Sequence, residues 1–312
     1  MTRQNRAFYP VKLRNCQNIV TEKFFISDYT IVMPELPEVE TVVRGLREPL
    51  IGRTVQSIWY DWERIIHSPV PEAFAAHIIG QTFRAVNRRA KYILCELDHD
   101  TLLVHLKMTG RLYVTDNDAV HDSDRWMHFC LQLDNGKQLR FSDMRKFGRV
   151  YLTSDIATIT GKLGPEPLDK RFEVQDFLGR FSRRHKNIKA LLLDQTFIVG
   201  VGNIYADEAL HLAAIHPFRR SDELSNEERV RLYSTIRQTL TDGIRHEGAS
   251  VNWYRKPDGT RGQSQKHFAV YGREGQPCLT CGHPIEKIRI AGRGTHFCPI
   301  CQPVRTESNV RI

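Results

Sequence analysis

The period at which apolar residues recur changes once along this chain, and that change limits it to a mixed α+β architecture. Between about residue 53 and residue 153, short apolar runs are separated by turn signals such as Asp98-His99-Asp100 and Asp134-Asn135-Gly136. Phe129, Leu131 and Leu133 alternate with Cys130 and Gln132, the pattern of a strand with one face buried. Strands are expected over 54–59, 82–87, 92–97, 102–106, 111–114, 129–133, 139–141 and 150–152. Regular short strands favour a β-sandwich or barrel over a parallel α/β sheet. Leu163-Gly164-Pro165-Glu166-Pro167-Leu168 then breaks any regular element and marks a linker. Beyond it the period is helical over 172–181, 187–193, 204–213 and 226–244, with Ser225 placed to cap the last helix.

One helix precedes the strands. Leu36, Val39, Val42, Val43 and Leu46 recur at helical spacing, Pro37 suits the first helical position, and Glu38 and Glu40 complement the dipole of the first turn. On these facts alone Met33-Pro34-Glu35-Leu36-Pro37-Glu38-Val39-Glu40 is a well-started surface helix. Residues 1–32 have neither the apolar core of a secretory signal nor the composition of a transit peptide. We read them as an upstream extension left by a misassigned translation start, with Met33 as the functional beginning.

The cysteines divide into two groups. Cys16, Cys95 and Cys130 are scattered and read as small hydrophobes. Cys278-x2-Cys281 and Cys298-x2-Cys301 are two close pairs sixteen residues apart. Four thiolates so spaced supply a tetrahedral soft ligand set for one structural Zn²⁺ and imply a reducing compartment. Residues 285–290 and 296–297 suit a hairpin between the ligand turns, with Gly292-Arg293-Gly294 at its tip pushing Arg293 outward. The net charge of +9 makes a polyanionic partner plausible, and residues 255–312 hold ten Lys and Arg against four Asp and Glu. No apolar run of about eighteen residues marks a membrane span. Residues 251–265 are polar and rich in Gly, Pro, Lys and Arg, which reads as a mobile loop.

Several motifs, in order, resemble the bacterial formamidopyrimidine-DNA glycosylases from Met33 to about Gln302. They are the Met33–Glu40 opening with Thr41-Val42, Arg88-Arg89-Ala90-Lys91-Tyr92, His105-Leu106-Lys107-Met108-Thr109-Gly110, Asp143-Met144-Arg145-Lys146-Phe147-Gly148, Val199-Gly200-Val201-Gly202-Asn203, and Val270-Tyr271-Gly272-Arg273 leading to the cysteine pairs. The resemblance implies an α+β fold: a β-sandwich domain following a catalytic helix (33–160), a linker (161–170) and a helix–two-turn–helix domain (171–250). A mobile loop and connector (251–277) and a zinc finger (278–302) would follow.

On the same resemblance, Pro34, Glu35, Lys91 and Arg293 carry the chemistry, Lys91 and Arg293 by holding phosphates near the damaged nucleotide. Met108 and Phe147 wedge into the duplex, and Arg145 pairs with the orphaned base. Lys189, Asn203 and, more weakly, His128 bind DNA. Gly200 and Gly202 let backbone N–H groups approach a phosphate at a helix start, with Glu208 bracing the turn. Read without the resemblance, these same residues are a solvated strand edge (Arg88 to Lys91), core side chains (Met108, Phe147), a solvated helix face (the basic run from Arg183 through Lys189) and a solvated hairpin arginine (Arg293). The sequence departs from the family in placing Trp126 where a DNA-contacting histidine often stands, with His128 two residues later, and Lys107 where many relatives have glycine.

The implied activity is a bifunctional glycosylase and apurinic/apyrimidinic lyase that excises oxidised purines, formamidopyrimidine and 8-oxoguanine, from duplex DNA. Freed of upstream residues, Pro34 would offer a secondary amine that titrates near 8, nucleophilic at physiological pH. Glu35 is then the neighbouring acid and base, and Glu38 orients the amine or a loop. Two other readings remain open at this point: a glycosylase for oxidised pyrimidines resembling endonuclease VIII, and a non-catalytic zinc DNA-binding protein if the N-terminus stays blocked. The expected setting is a cytoplasmic, nucleoid-associated monomer with no membrane association.

Overall fold

The structure, a computed structural model, describes residues 33–304 apart from residue 183, so the reading of 1–32 as an extension and the role of Arg183 lie outside the described residues. The first helix, α1 (Leu36–Leu50), starts where the sequence places it, with Pro37 in its first turn. The Glu38 carboxylate accepts a hydrogen bond from the Glu35 N–H at 2.8 Å, which satisfies one of the donors a helix start leaves free.

Nine strands follow: β1 (Val55–Tyr60), β2 (Ile66–Ser68), β3 (Ala85–Arg89), β4 (Tyr92–Glu96), β5 (Thr101–His105), β6 (Gly110–Asp116), β7 (Met127–Leu133), β8 (Lys137–Asp143) and β9 (Arg149–Thr153). They form two sheets, ordered β1-β7-β8-β6 and β2-β9-β5-β4-β3. Phe129 of β7 stands opposite Phe141 of β8, and Leu131 opposite Leu139, so the apolar side of this ladder faces inward. Val39, Val42, Val43, Leu46 and Leu50 of α1 join these residues with Phe74 and Phe83 in one core.

All eight expected strands occur, with ends shifted. The run at 82–87 enters its ladder only at Ala85, because the Phe83 backbone instead pairs with Gly52 and Arg53. The three-residue β2 and the eight-residue helix α2 (Pro71–Ile78) escaped the sequence reading, since neither is long enough to show a period.

After a four-residue helix, α3 (Ala157–Thr160), the linker leads to α4 (Val174–Gly179), α5 (Ile188–Leu193), α6 (Asn203–Leu212) and α7 (Asn226–Arg245). Ser225 caps α7 as expected: its hydroxyl accepts from the Glu228 N–H at 3.2 Å, while the Glu228 carboxylate accepts from the Ser225 N–H at 2.9 Å. These helices build a second core around Phe177, Phe181, Phe197, Leu210 and Leu240. Leu36 belongs to this second core, whereas Val39 and the rest of the buried face of α1 belong to the first. One helix therefore spans both halves.

The cysteine module carries the hairpin β10 (Glu286–Ile290) and β11 (Arg293–Phe297), with Ile290 opposite Arg293. Ala291 and Gly292 both have positive φ, the signature of the tight primed turn.

At the segment expected to be a mobile loop, residues 250–262 make bonds to one another and to the rest of the protein. Tyr254 is buried in the first core, Ser250 Oγ donates to the Tyr254 carbonyl at 2.9 Å and accepts from the Gly262 N–H at 3.0 Å, and the Lys256 ammonium pairs with Glu247 at 2.9 Å. Its polar composition is spent on these local bonds.

Candidate active site

Pro34 and Glu35 enter α1 at the junction of the two cores. Pro34 is buried, and the Glu35 carboxylate, 1% exposed, reaches across to the N-terminus of α6. There it accepts hydrogen bonds from the Gly202 N–H at 2.7 Å and the Ile204 N–H at 2.8 Å. Gly202 is required by this approach: a Cβ there would lie 2.4 Å from the Glu35 carboxyl carbon. The Leu36 N–H completes the joint by donating to the Gly200 carbonyl at 3.0 Å. The Gly202 and Ile204 N–H groups are thus spent on Glu35, while the Gly200 N–H donates to Gln195 Oε1 at 2.9 Å. The Gly200 and Gly202 donors expected to approach a phosphate therefore already have partners inside the protein, and the internal carboxylate complements the helix dipole there.

Burial pushes the Glu35 carboxyl up to about 7, outweighing the opposing charge of Lys91 and the Ile204 N–H bond; the neighbouring Glu38 adds to the rise. Glu38 itself is 2% exposed and holds three donors: the Glu35 N–H, the Tyr205 hydroxyl at 2.8 Å and the Ala249 N–H at 2.7 Å. Its carboxyl is also raised by burial, against those bonds. It orients the Pro34–Glu35 peptide and secures the segment after α7, as its position in the first turn suggested.

Lys91 is 7% exposed at the β3–β4 turn, which Ala90 makes with positive φ. Burial lowers its ammonium; Glu35 and Glu38 oppose that, and Arg293 reinforces it. The three groups share one electrostatic neighbourhood. The adjacent arginines are not a solvated edge: Arg88 pairs with Glu40 at 3.1 Å and Glu166 at 2.7 Å, and Arg89 with Glu166 at 3.1 Å. They tie the sandwich to the linker.

Arg293 is exposed at the hairpin tip, as its glycine neighbours predict. The next residue, Gly294, accepts a hydrogen bond through its carbonyl from Asn203 Nδ2 at 2.9 Å, so the start of α6 and the hairpin meet. Lys189 does not lie on a solvated face, nor is it placed as a surface phosphate contact. Its side chain is fully buried, ion-paired with Asp207, and donates to the Asn203 carbonyl at 2.8 Å. Asp207 also accepts from the His296 N–H at 2.9 Å. Lys189 and Asp207 therefore lock Asn203 and β11 together. Glu208 braces a different place from the one expected: its carboxylate accepts from the Ala269, Val270 and Tyr271 N–H groups at 2.8–3.0 Å and anchors the entry to the cysteine module.

The two wedge loops stand side by side. The Asp143 carboxylate accepts from the Thr109 hydroxyl, from the Arg145 N–H at 3.2 Å and from the Gly148 N–H at 2.6 Å. Gly148 packs so tightly that a Cβ would lie 2.4 Å from the Phe141 ring. These ties bring together Met108, Arg145 and Phe147. The Arg145 guanidinium lies 3.3 Å from Met108 Sδ and 4.6 Å from the Phe147 ring centre, and Phe147 is 43% exposed. Phe147 is therefore an exposed ring beside a cation, not the core side chain that the residue alone suggests. Asp143, Asp207 and Glu166 were missed in the sequence, where acidic residues at the edges of motifs give no periodic signal.

His128 is not a surface contact either. Its ring is buried, with Nδ1 2.8 Å from Asp61 and the indole of Trp62 edge-on at 6.4 Å. Asp61 is itself exposed and Trp62 half-buried, so the His128 ring lies just beneath the surface with its Nδ1 turned to Asp61.

The four sulfurs of Cys278, Cys281, Cys298 and Cys301 all lie within 4.8 Å of one another, with Cys278 to Cys301 at 3.8 Å and Cys281 to Cys298 at 3.4 Å. Zn–S bonds of about 2.3 Å in a tetrahedron require sulfurs roughly 3.8 Å apart, so the residues fit the ion. The cluster holds one structural Zn²⁺ and leaves no position open for water.

Comparison with known proteins follows the same division. The Formamidopyrimidine-DNA glycosylase N-terminal domain matches residues 33–150, the Formamidopyrimidine-DNA glycosylase H2TH domain 163–254, and the zinc finger found in FPG and IleRS 275–304. A formamidopyrimidine-DNA glycosylase of Herpetosiphon aurantiacus is 48% identical over 274 residues, which are 86% of this chain and all of that protein. A mutant Lactococcus lactis FPG in complex with Fapy-dG-containing DNA superposes with a TM-score of 0.81 at 36% identity, covering 87% of this chain and all of the other. The Lactococcus lactis Fpg with abasic-site DNA gives 0.80 at 36% identity, over 86% of this chain and all of the other.

Proposed function

We infer that the Pro34 nitrogen is the nucleophile of this chain, which belongs to the formamidopyrimidine-DNA glycosylase family. The protein is a DNA glycosylase for oxidised purines with apurinic/apyrimidinic lyase activity, and it carries one zinc ion. The residue roles below are our proposal. Their main support is the placement of Glu35: a buried carboxyl whose affinity for its proton is raised to about neutrality, one residue from Pro34.

With its amine free, Pro34 attacks C1′ of the damaged nucleoside and the bond from C1′ to the base nitrogen breaks. The sugar ring then opens as the C1′–O4′ bond breaks, O4′ takes a proton from Glu35, and an iminium forms between Pro34 and C1′. This electron sink lets Glu35, now a carboxylate, take a proton from C2′, and the 3′ phosphate departs by elimination. A group half protonated near pH 7 gives and takes protons with equal ease. Lys91 and Arg293 hold the flanking phosphates, Asn203 sets the strand against the hairpin, and Met108, Arg145 and Phe147 fill the space the extruded base leaves. Glu35 and Lys91 come from the N-terminal part, Asn203 from α6 and Arg293 from the zinc hairpin, so one chain completes the site. We therefore take the protein to act as a monomer on duplex DNA, in the cytoplasm at the nucleoid. Among the described residues no helix is long and apolar enough to cross a membrane.

Borohydride trapping tests the nucleophile. Protein beginning at Pro34 should give a covalent adduct with abasic-site DNA. Protein retaining residues 1–33 should give none, because a tertiary amide nitrogen has no basic lone pair. An adduct formed by the retained form would overturn the role of Pro34.

A further inference from the structure

The strap 250–262 meets the β-sandwich at a pair of indoles. Trp126, just before β7, has the Trp253 ring edge-on at 5.5 Å and 90°, while the Arg125 guanidinium lies 3.9 Å from its own ring centre. The same patch gathers further arginines. Arg111 of β6 stands opposite Ser142 of β8, which in turn stands opposite Met127 of β7, so Arg111 shares a cross-strand row with the residue after Trp126. Arg255, two residues beyond Trp253, turns one nitrogen to the carbonyls of Asn252 at 2.9 Å and Tyr254 at 2.7 Å. Its positive neighbours are Arg111 and Arg261.

These cations are poorly compensated. Among the described residues none of Arg111, Arg125, Arg255 and Arg261 makes an ion pair, and Arg111 Nε is buried without a hydrogen-bond partner. Asp122 and Asp124 are the acidic groups facing Arg111, but Asp124 is already committed to Arg140 at 2.9 Å and to the Tyr113 hydroxyl at 2.6 Å. Arg111 and Arg255 are half-buried, and like charges so held together are costly unless an anion joins them. Arg111 lies three residues after Met108, on the strand that leaves the loop bearing Met108.

We propose that Arg111 of β6 and Arg255 of the strap hold one backbone phosphate between them beside the Trp126–Trp253 pair, so that bound DNA adds a further tie between strap and sandwich. This rests on the DNA-repair reading. It adds a phosphate site that joins the two halves at a point away from Lys91, Asn203 and Arg293.

The test is the salt dependence of binding by the zinc-loaded protein to a duplex carrying a tetrahydrofuran abasic analogue and to the same duplex undamaged. Arg111→Gln and Arg255→Gln should each weaken both duplexes to a similar extent, on the order of tenfold at low salt. Each should also lower the slope of log affinity against log salt by about one. The double variant should lose little more than either single one, because both arginines serve the same phosphate. Arg111→Lys and Arg255→Lys should keep the slope, and Arg171→Gln, on an exposed side chain paired with Asp169, should not change it. Unchanged slopes in the glutamine variants, or fully additive losses in the double variant, overturn the proposal. Borohydride trapping of the unaltered protein started at Pro34 is read in parallel. Its failure would count against the catalytic reading and leave the salt slopes to judge the phosphate site.

Discussion

Glu35 does two jobs that pull its chemistry in opposite directions. As an internal cap it accepts two short N–H bonds from the start of α6, which favour the carboxylate. As a buried group next to Glu38 it is driven toward the acid, and burial wins. Its proton is held in the folded protein up to about pH 7, whereas an exposed chain releases it near 4.5. Between those values the folded state binds the extra proton, so stability contributed by protonated Glu35 is full below about 4.5 and is lost as pH rises through 7. Glu35→Gln cannot ionise and should therefore show a smaller fall in unfolding free energy from pH 5 to pH 7, by about 2 kcal/mol. Urea unfolding of both proteins at the two pH values measures the difference; equal falls would refute a raised Glu35.

At the scale of elements, the zinc hairpin is a delivery device. β10 and β11 bury few residues of their own, and their small core is Val270, Ile285, Cys278 and Cys298. Such a module depends on its metal to fold. It is nonetheless wired to α6, through Asn203 to Gly294 and Asp207 to His296. Chelating the zinc should therefore release Arg293 and weaken DNA binding at least tenfold while leaving the sandwich folded. Anisotropy with labelled duplex, alongside tryptophan fluorescence of the sandwich residues Trp59 and Trp62 in a variant lacking Trp126 and Trp253, separates local from global loss. The wedge loops show the opposite economy. Asp143 alone organises both by accepting from each, so Met108, Arg145 and Phe147 are positioned with no metal.

Across the whole molecule the site exists only where α1, α6 and the hairpin meet. α1 contributes Leu36 to the helical core and Val39 onward to the sandwich core, which couples the two halves mechanically. The fully buried Lys189–Asp207 pair then couples α5, α6 and β11. Lys189→Met should leave Asp207 uncompensated and destabilise the protein by about 3–5 kcal/mol. It should also lower adduct yield by disturbing Asn203, yet leave the salt slope of DNA binding unchanged, because the ammonium touches no solvent. A slope reduced by about one would instead make Lys189 a direct phosphate contact.

Local rules in the sequence determined the start of α1, the Ser225 cap, the eight principal strands, the four helices after the linker and the metal quartet. Each rests on residues close together in the chain: a proline at a helix start, an alternation of apolar side chains, two Cys-x2-Cys turns. Motif order was also enough to expect Pro34, Glu35, Met108, Arg145, Phe147 and Arg293 at the site. The tertiary structure alone decided what the N–H groups of the glycine turn bind. A carboxylate distant in sequence competes with any phosphate for those donors, and only packing brings Glu35 to Gly202. It likewise turned Lys189 and His128 inward, since burial depends on neighbours from other elements and a lysine or histidine looks the same in sequence whether it meets water or Asp207. The bonds of the polar strap were not legible in the sequence for the same reason. Composition reports what a segment is able to bond with, while the distant partners on the sandwich, among them Trp126 against Trp253, determine whether it is held.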